Sequence, residues 1–282
     1  MLVDASIDPG SAGDDRPIAL FDSGFGGLTV ARAVIDLLPH EHVVYVGDTG
    51  RYPYGPRPLD EVAGFAHEIT RHLVRDLGAK LVIVACNTAA AAALDDLRAE
   101  TAVPVVGVIE PGVRSLVAAT RSGRVGVIGT VGTVTSGAYQ RAVAEAGADV
   151  DLTCAACPGF VEFVERNELH SDQVHVLAER LLAPVIDADV DTLLLGCTHY
   201  PYLARTISDV MGRDVVLVSS ADETAFEVRA LLFSGQGPPP RGPDGGAARR
   251  RFLSSGDVEH FRDLGALLLG PELTAVEPTP WA

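Results

Sequence analysis

The chain has 282 residues, 47% of them apolar, with 38 acidic against 22 basic side chains and a net charge of −16. That length and composition suffice to bury a sizeable core in one large or two modest domains. The acidic balance works against a polyanionic ligand, so no direct nucleic-acid partner is expected; the only dense basic run is Arg249 to Arg251, beside a Pro/Gly-rich stretch.

Residues 1–17, MLVDASIDPGSAGDDRP, carry four aspartates and no apolar stretch long enough for a signal peptide or a membrane span. They predict a short disordered tail on a cytoplasmic protein without membrane contact. From Ile18 onward, apolar runs alternate with helical patterns at the spacing of α/β folds. Strands are predicted at 18–22, 42–47, 80–85, 104–109, 124–129, 149–153, 191–196, 214–218 and 250–254. Between the second and third, Leu59, Val62, Ala66, Ile69, Leu73 and Leu77 recur in steps of three and four, which marks one face of a helix. The order of elements predicts an α/β fold: two pseudo-symmetric, doubly wound, parallel-sheet lobes, with the site in the cleft between them. Residues 18–111 plus 222–282 are expected to form the first lobe and 112–221 the second. The stretch 236–251, QGPPPRGPDGGAARRR, is low in complexity and predicts a mobile loop.

The two lobes are predicted from an internal repeat. LVIVACNTAA at 81–90 and TLLLGCTHYP at 192–201 each end an apolar run in a small residue, a cysteine and nearby threonine. Cys86 and Cys197 lie 111 residues apart; Gly107 and Leu217, in the following strands, lie 110 apart; Ser23 and Thr130, ending the opening strands, lie 107 apart. A near-constant offset over three corners indicates duplication. Ligands of such sheets bind beyond the carboxyl ends of the strands, so both thiols are expected to face one cleft.

Two opposed thiols suit a carbon acid. A thiolate on one face can remove a proton while a thiol on the other delivers one, which inverts a stereocentre without metal or cofactor, provided positioned donors stabilise the carbanion-like transition state. Asp22 and Ser23 of FDSGFGG are expected to project into the cleft, with backbone N–H groups free for an anion. His199 is a candidate support for Cys197, with Glu165 on its other side; Asn87, Thr88 and Thr198 offer donors for a carboxylate. Each of these residues also has an ordinary structural reading: a buried cysteine is commonly a small hydrophobe, a DSG turn a helix cap and a lone histidine a satisfied core group. CAAC at 154–157 has the spacing of a redox pair or half a zinc site, yet no second CxxC or HxxxH completes a metal site. GFGG lacks the rest of a dinucleotide fingerprint.

At these residues the sequence resembles the glutamate racemases of the cofactor-independent aspartate/glutamate racemase group. The motifs are ALFDSGFGGLTV at 19–30, YVGDTGRYPYG at 45–55, VACNTAAAAAL at 84–94, GVIEPG at 107–112, VIGTVGTVTSGAY at 127–139, CPGFVEFVE at 157–165, LLLGCTHYPYL at 193–203 and FLSSGDVEHF at 252–261. The resemblance implies catalytic roles for Cys86 and Cys197, the first taking the proton from the D-isomer and the second from the L-isomer, assisted by Asp22, Glu165 and His199. It implies substrate contacts at Asp22, Ser23, Tyr54, Gly55, Asn87, Thr88, Thr198 and His199, with Thr130 and Thr133 as further carry-overs. Glu162 stands where relatives commonly carry proline. The group is cytoplasmic, commonly dimeric and free of cofactor or metal, and its D-glutamate feeds peptidoglycan synthesis. An aspartate or hydantoin racemase, a decarboxylase, and a non-catalytic amino-acid-binding or partner-binding protein of the same fold are the alternatives.

Overall fold

The computed structural model describes residues 13–242 and 245–281; residues 1–12 of the expected tail and 243–244 of the expected loop lie outside the described residues. The described strands are β1 (Ile18–Asp22), β2 (Val43–Gly47), β3 (Leu81–Val84), β4 (Val105–Gly107), β5 (Arg124–Gly129), β6 (Asp151–Ala156), β7 (Thr192–Gly196), β8 (Val216–Val218), β9 (Arg250–Ser254) and β10 (Glu277–Pro278). The helices are α1 (Leu28–Leu37), α2 (Leu59–Arg75), α3 (Asn87–Glu100), α4 (Ile109–Ala119), α5 (Val131–Thr135), α6 (Ala138–Glu145), α7 (Phe160–Glu165), α8 (Asp172–Asp187), α9 (Ala204–Met211), α10 (Ala221–Phe233) and α11 (Val258–Leu269), with a 3-10 turn at Tyr200–Leu203.

Two all-parallel sheets result, in the orders β10-β9-β2-β1-β3-β4 and β6-β5-β7-β8. Ignoring β9 and β10, the two orders are the same, and they superpose β1 on β5, β3 on β7 and β4 on β8, the pairs that the repeat aligns. All residues of β1, β3 and β7 are buried, because a parallel strand covered on both faces needs an uninterrupted apolar run. On α2, Val62, Ala66, Ile69 and Leu73 are fully buried against the sheet. Burial of the three larger side chains stabilises the fold by roughly 1.5–3 kcal/mol each.

The side chains of β7 separate the two cores by the alternation of a strand. Leu194 joins the larger core, which includes the first sheet and continues through Val125, Val127 and Tyr139; Leu193 and Leu195 join the smaller core on the far face of the second sheet. α10 packs against both α1 and α4.

Several boundaries differ from the sequence expectation. The run at 104–109 leaves the sheet after Gly107, because Val108 caps α4 and Ile109 is already helical. The strand expected at 149–153 runs from Asp151 to Ala156, drawn along by parallel pairing with all six residues of β5. β10 is too short to leave a periodic signal. Within 236–251, Arg250 and Arg251 already belong to β9, and Arg241 is buried: its backbone N donates to Glu41 at 2.8 Å and its guanidinium to Asp15 at 3.0 Å and the His40 carbonyl at 3.0 Å.

Candidate active site

Every motif-bearing corner lies at the carboxyl end of a strand, so the two lobes deliver their polar residues to the same place. A cavity of about 620 Å³, its open mouth included, lies there. Cys86 enters it from the first lobe and Cys197 from the second, joined on the wall by Ser23, Tyr54, Gly55, Asn87, Thr88, Thr130, Thr198 and His199. Asp22, Glu165 and Thr133 stand behind the wall rather than on it.

Asp22 was expected to project into the cleft, and its burial explains the difference. Its Oδ1 accepts from Gly24 N at 2.8 Å, and its Oδ2 accepts from the Thr198 hydroxyl at 3.0 Å. Both oxygens are thereby turned toward the turn and the opposite lobe. Glu165 reaches His199 Nε2 through Oε1 at 3.0 Å, while His199 Nδ1 lies 3.9 Å from Cys197 Sγ. The second thiol therefore has an imidazole partner that is itself oriented by a carboxylate. Gly26 makes this possible, since a Cβ there would lie 2.3 Å from His199 Nδ1 and 2.5 Å from Thr198 Oγ1.

The two thiols sit in unlike fields. Cys86 precedes α3 and has Ser23 Oγ at 3.9 Å. Burial first, and the Asp22 carboxylate second, nevertheless push the Cys86 thiol up to about 12. The helix N-terminus does not lower it below its ordinary value, because desolvation and a nearby anion both oppose thiolate formation. His199 is held well above its ordinary range: burial acts to lower it, and the contacts with Cys197 and Glu165, with the field of Asp22, outweigh that. Asp22 thus opposes ionisation of Cys86, whereas the neighbour of Cys197 is an imidazole whose contacts favour its protonated form.

Donors for a carboxylate surround them. Tyr139, from the second lobe, donates to Asn87 Oδ1 at 2.6 Å, which turns the amide so that Nδ2, buried and without a partner among the described residues, is left to donate. Thr88, Thr130 and Thr133 share their hydroxyls in a triangle at 3.0, 3.2 and 3.0 Å, with Thr133 fully buried beneath the other two. Thr130 Oγ1 also accepts from Thr133 N at 3.2 Å, capping α5. The Gly55 carbonyl accepts from Gly132 N at 2.9 Å and so ties the loop 48–58 to the second lobe. No lysine or arginine lines the cavity among the described residues.

Sequence reasoning missed Tyr52 and Tyr200 on the wall and Tyr139 behind it, and it singled out Cys157 and Glu162 without placing them on the wall, where both lie. All lie within or beside quoted motifs, but a motif does not say which of its side chains faces a cavity. The two cysteines of CAAC are both free and separate: Cys154 packs against the larger core and Cys157 belongs to the smaller. Burial pushes their thiols up to about 11 and about 12, respectively, with Cys197 adding to the second.

A pair of parallel-sheet lobes, each presenting a thiol from the same strand position into one cavity, is the arrangement of an α/β enzyme with its site between the lobes. Residues 28–227 match the Asp/Glu/Hydantoin racemase family. A glutamate racemase of Parafrankia sp. is 53% identical over 267 residues, covering 94% of this chain and 95% of that protein. The crystal structure of glutamate racemase isoform RacE1 from Bacillus anthracis aligns with TM-score 0.86 at 39% identity, over 93% of this chain and 96% of that one. The structure of glutamate racemase from Francisella tularensis in complex with D-glutamate also aligns with TM-score 0.86, at 30% identity, over 95% and 98% of the two chains. The chain belongs to the Asp/Glu/Hydantoin racemase family. It is a racemase, and so an isomerase.

Proposed function

We propose that the protein interconverts L- and D-glutamate by a two-base reaction at Cα, without cofactor or metal. The observation that carries this reading is the presentation of Cys86 and Cys197 from opposite lobes into one cavity. Relatives named glutamate racemase, one of them solved with D-glutamate, support glutamate as the substrate.

In the L-to-D sense, Cys197 as thiolate takes the Cα proton and the Cys86 thiol gives its proton to the other face; the D-to-L sense reverses both transfers. Burial and the Asp22 carboxylate favour the protonated thiol at Cys86, and His199 Nδ1 lies 3.9 Å from Cys197 Sγ, where an imidazolium would partner a thiolate formed during the reaction. For the D-isomer, the substrate ammonium offsets the field of Asp22 and eases ionisation of Cys86. Ser23, Asn87, Thr88, Thr130, Thr198 and the first-turn N–H groups of α3 hold the carboxylates, taking the place of the missing basic side chains. Tyr54 and Gly55 form the adjoining wall. Asp22, Glu165 and Thr133 orient the groups that touch substrate.

The family resemblance extends this to supply of D-glutamate for peptidoglycan in the cytoplasm by a homodimer. No described helix is long and apolar enough to cross a membrane.

The test is proton NMR of the purified protein with each glutamate isomer in deuterium oxide, beside Cys86→Ser and Cys197→Ser. Wild type should invert and exchange the Cα proton, and each variant should lose racemisation by about 10³-fold, within the range of general acid–base catalysis. Reaction of aspartate but not glutamate would overturn the substrate; absence of any exchange would overturn the two-base reading.

A further inference from the structure

The wall of the cavity beside the threonines is the loop 48–58, which packs on Thr130 at Gly55, and its anchor is a buried carboxylate outside the site. Asp48 is fully buried. Its Oδ2 accepts from Arg51 Nε at 2.7 Å and from the Tyr54 hydroxyl, and its Oδ1 accepts from the Ser255 hydroxyl at 2.6 Å and from Trp281 Nε1 at 3.2 Å. Tyr54 is the cavity-lining member of this set.

Trp281 reaches the same tyrosine by a second route. The Arg51 guanidinium lies 5.6 Å from the Trp281 ring and 4.4 Å from the Phe65 ring, and Phe65 packs on Tyr54 with centroids 5.5 Å apart. The rings of His72, on α2, and Trp281 pack in a T-shaped pair with centroids 5.2 Å apart. The indole is fixed from the other side as well: β10 pairs with β9, Thr279 N donates to the Ser254 carbonyl at 3.0 Å, and Glu277 pairs with Arg251 at 2.7 Å.

We propose that Trp281 is a positioning residue for substrate binding, acting through Asp48 and Arg51 on Tyr54. The segment 277–281 thus works as a strap that sets the cavity wall from outside. The proposal rests on the racemase reading, since its kinetic effect is read in that reaction. The hydrogen bond and the stack act on the shape of the binding wall and touch neither thiol, so loss of Trp281 falls on KM and leaves kcat nearly as it was.

The chain has a single tryptophan and six tyrosines, so emission excited selectively at the indole reports on this residue alone. Three variants are compared with wild type: Trp281→Phe, which keeps the stack and loses the N–H donor; Trp281→Ala, which loses both; and Tyr54→Phe, which retains the indole as reporter. The expected result is a KM for glutamate raised about 5-fold in Trp281→Phe and further in Trp281→Ala, the scale of one hydrogen bond, with kcat within about 2-fold. Wild-type emission should shift saturably with glutamate, and Tyr54→Phe should shift the emission before any substrate is added. An unchanged KM in both Trp281 variants, or a loss confined to kcat, overturns the proposal. If wild type fails to racemise glutamate, the functional reading falls instead, and the substrate-free shift in Tyr54→Phe still decides whether Tyr54 and Trp281 are coupled; no shift overturns the strap.

Discussion

The Thr198 hydroxyl donates to Asp22 Oδ2 at 3.0 Å across the interface of the two lobes. With its other oxygen on Gly24 N, this fully buried carboxylate ties the first turn of one lobe to the cysteine corner of the other while its charge bears on Cys86. Asp22→Asn keeps one acceptor oxygen and removes the charge. Burial remains the larger cause of the raised Cys86 thiol, so thiolate should form about one pH unit lower than in wild type but still above the ordinary range. The pH dependence of iodoacetamide modification at Cys86, read by peptide mass spectrometry, measures this; an unchanged or higher onset would show that Asp22 does not act on the thiol.

Glu165→Gln should act on the other thiol through His199. Removing the carboxylate takes away one of the contacts that hold the imidazole protonated, so its pKa falls and the imidazolium is lost at lower pH. The alkaline limb of the L-to-D rate should move down in pH, and kcat should drop about 10-fold, as for other residues that orient a catalytic group. The sign for stability agrees. A histidine whose folded pKa is raised stabilises the fold fully below its unfolded value near 6.5, and loses that contribution as pH climbs through the raised value. Glu165→Gln should shrink this pH-dependent part. Rate profiles and urea midpoints across the range check both; profiles that superpose on wild type would sink the argument.

Far from the cavity, Lys80 at the amino end of β3 is wholly buried and lies 2.8 Å from the equally buried Glu41. Its ammonium also donates to the carbonyls of Asp14 at 2.8 Å and Pro239 at 3.1 Å. Lys80→Met leaves the Glu41 charge without its partner and should cost about 3–5 kcal/mol. Urea unfolding should show a lowered midpoint, with racemase kinetics intact below the transition. Combining it with Glu41→Gln should recover part of the loss, and additivity of the two would contradict the pairing.

Much of this was legible in the chain. The strands β1, β2, β3, β5, β7 and β9 were found because a buried parallel strand is a short, unbroken apolar run between turn signals, and that signal is local. α2 was found from one face of a 3.6-residue period. The edges β8 and β10 and the shift of β6 were less legible, since pairing with a neighbour, and not the run itself, decides where such strands begin and end. CAAC shows the limit most clearly: its spacing allows a redox pair, whereas the strand end sends Cys154 and Cys157 to different cores.

By itself the sequence determined the alternation of strands and helices, the duplicated corner and the place of Cys86 and Cys197 at two equivalent strand ends, because each depends on residues a few positions apart or on a repeated pattern. Only the tertiary structure decided that Asp22 stands behind the wall, that Glu165 serves His199, that Tyr139 sets the Asn87 amide and that Trp281 shares Asp48 with Tyr54. Those partners lie 34 to 233 residues apart in the chain, apart from Asp48 and Tyr54 in one loop. Their meeting is fixed by how strands cross within each sheet and how the lobes dock, where burial leaves each polar group only a few partners it can reach.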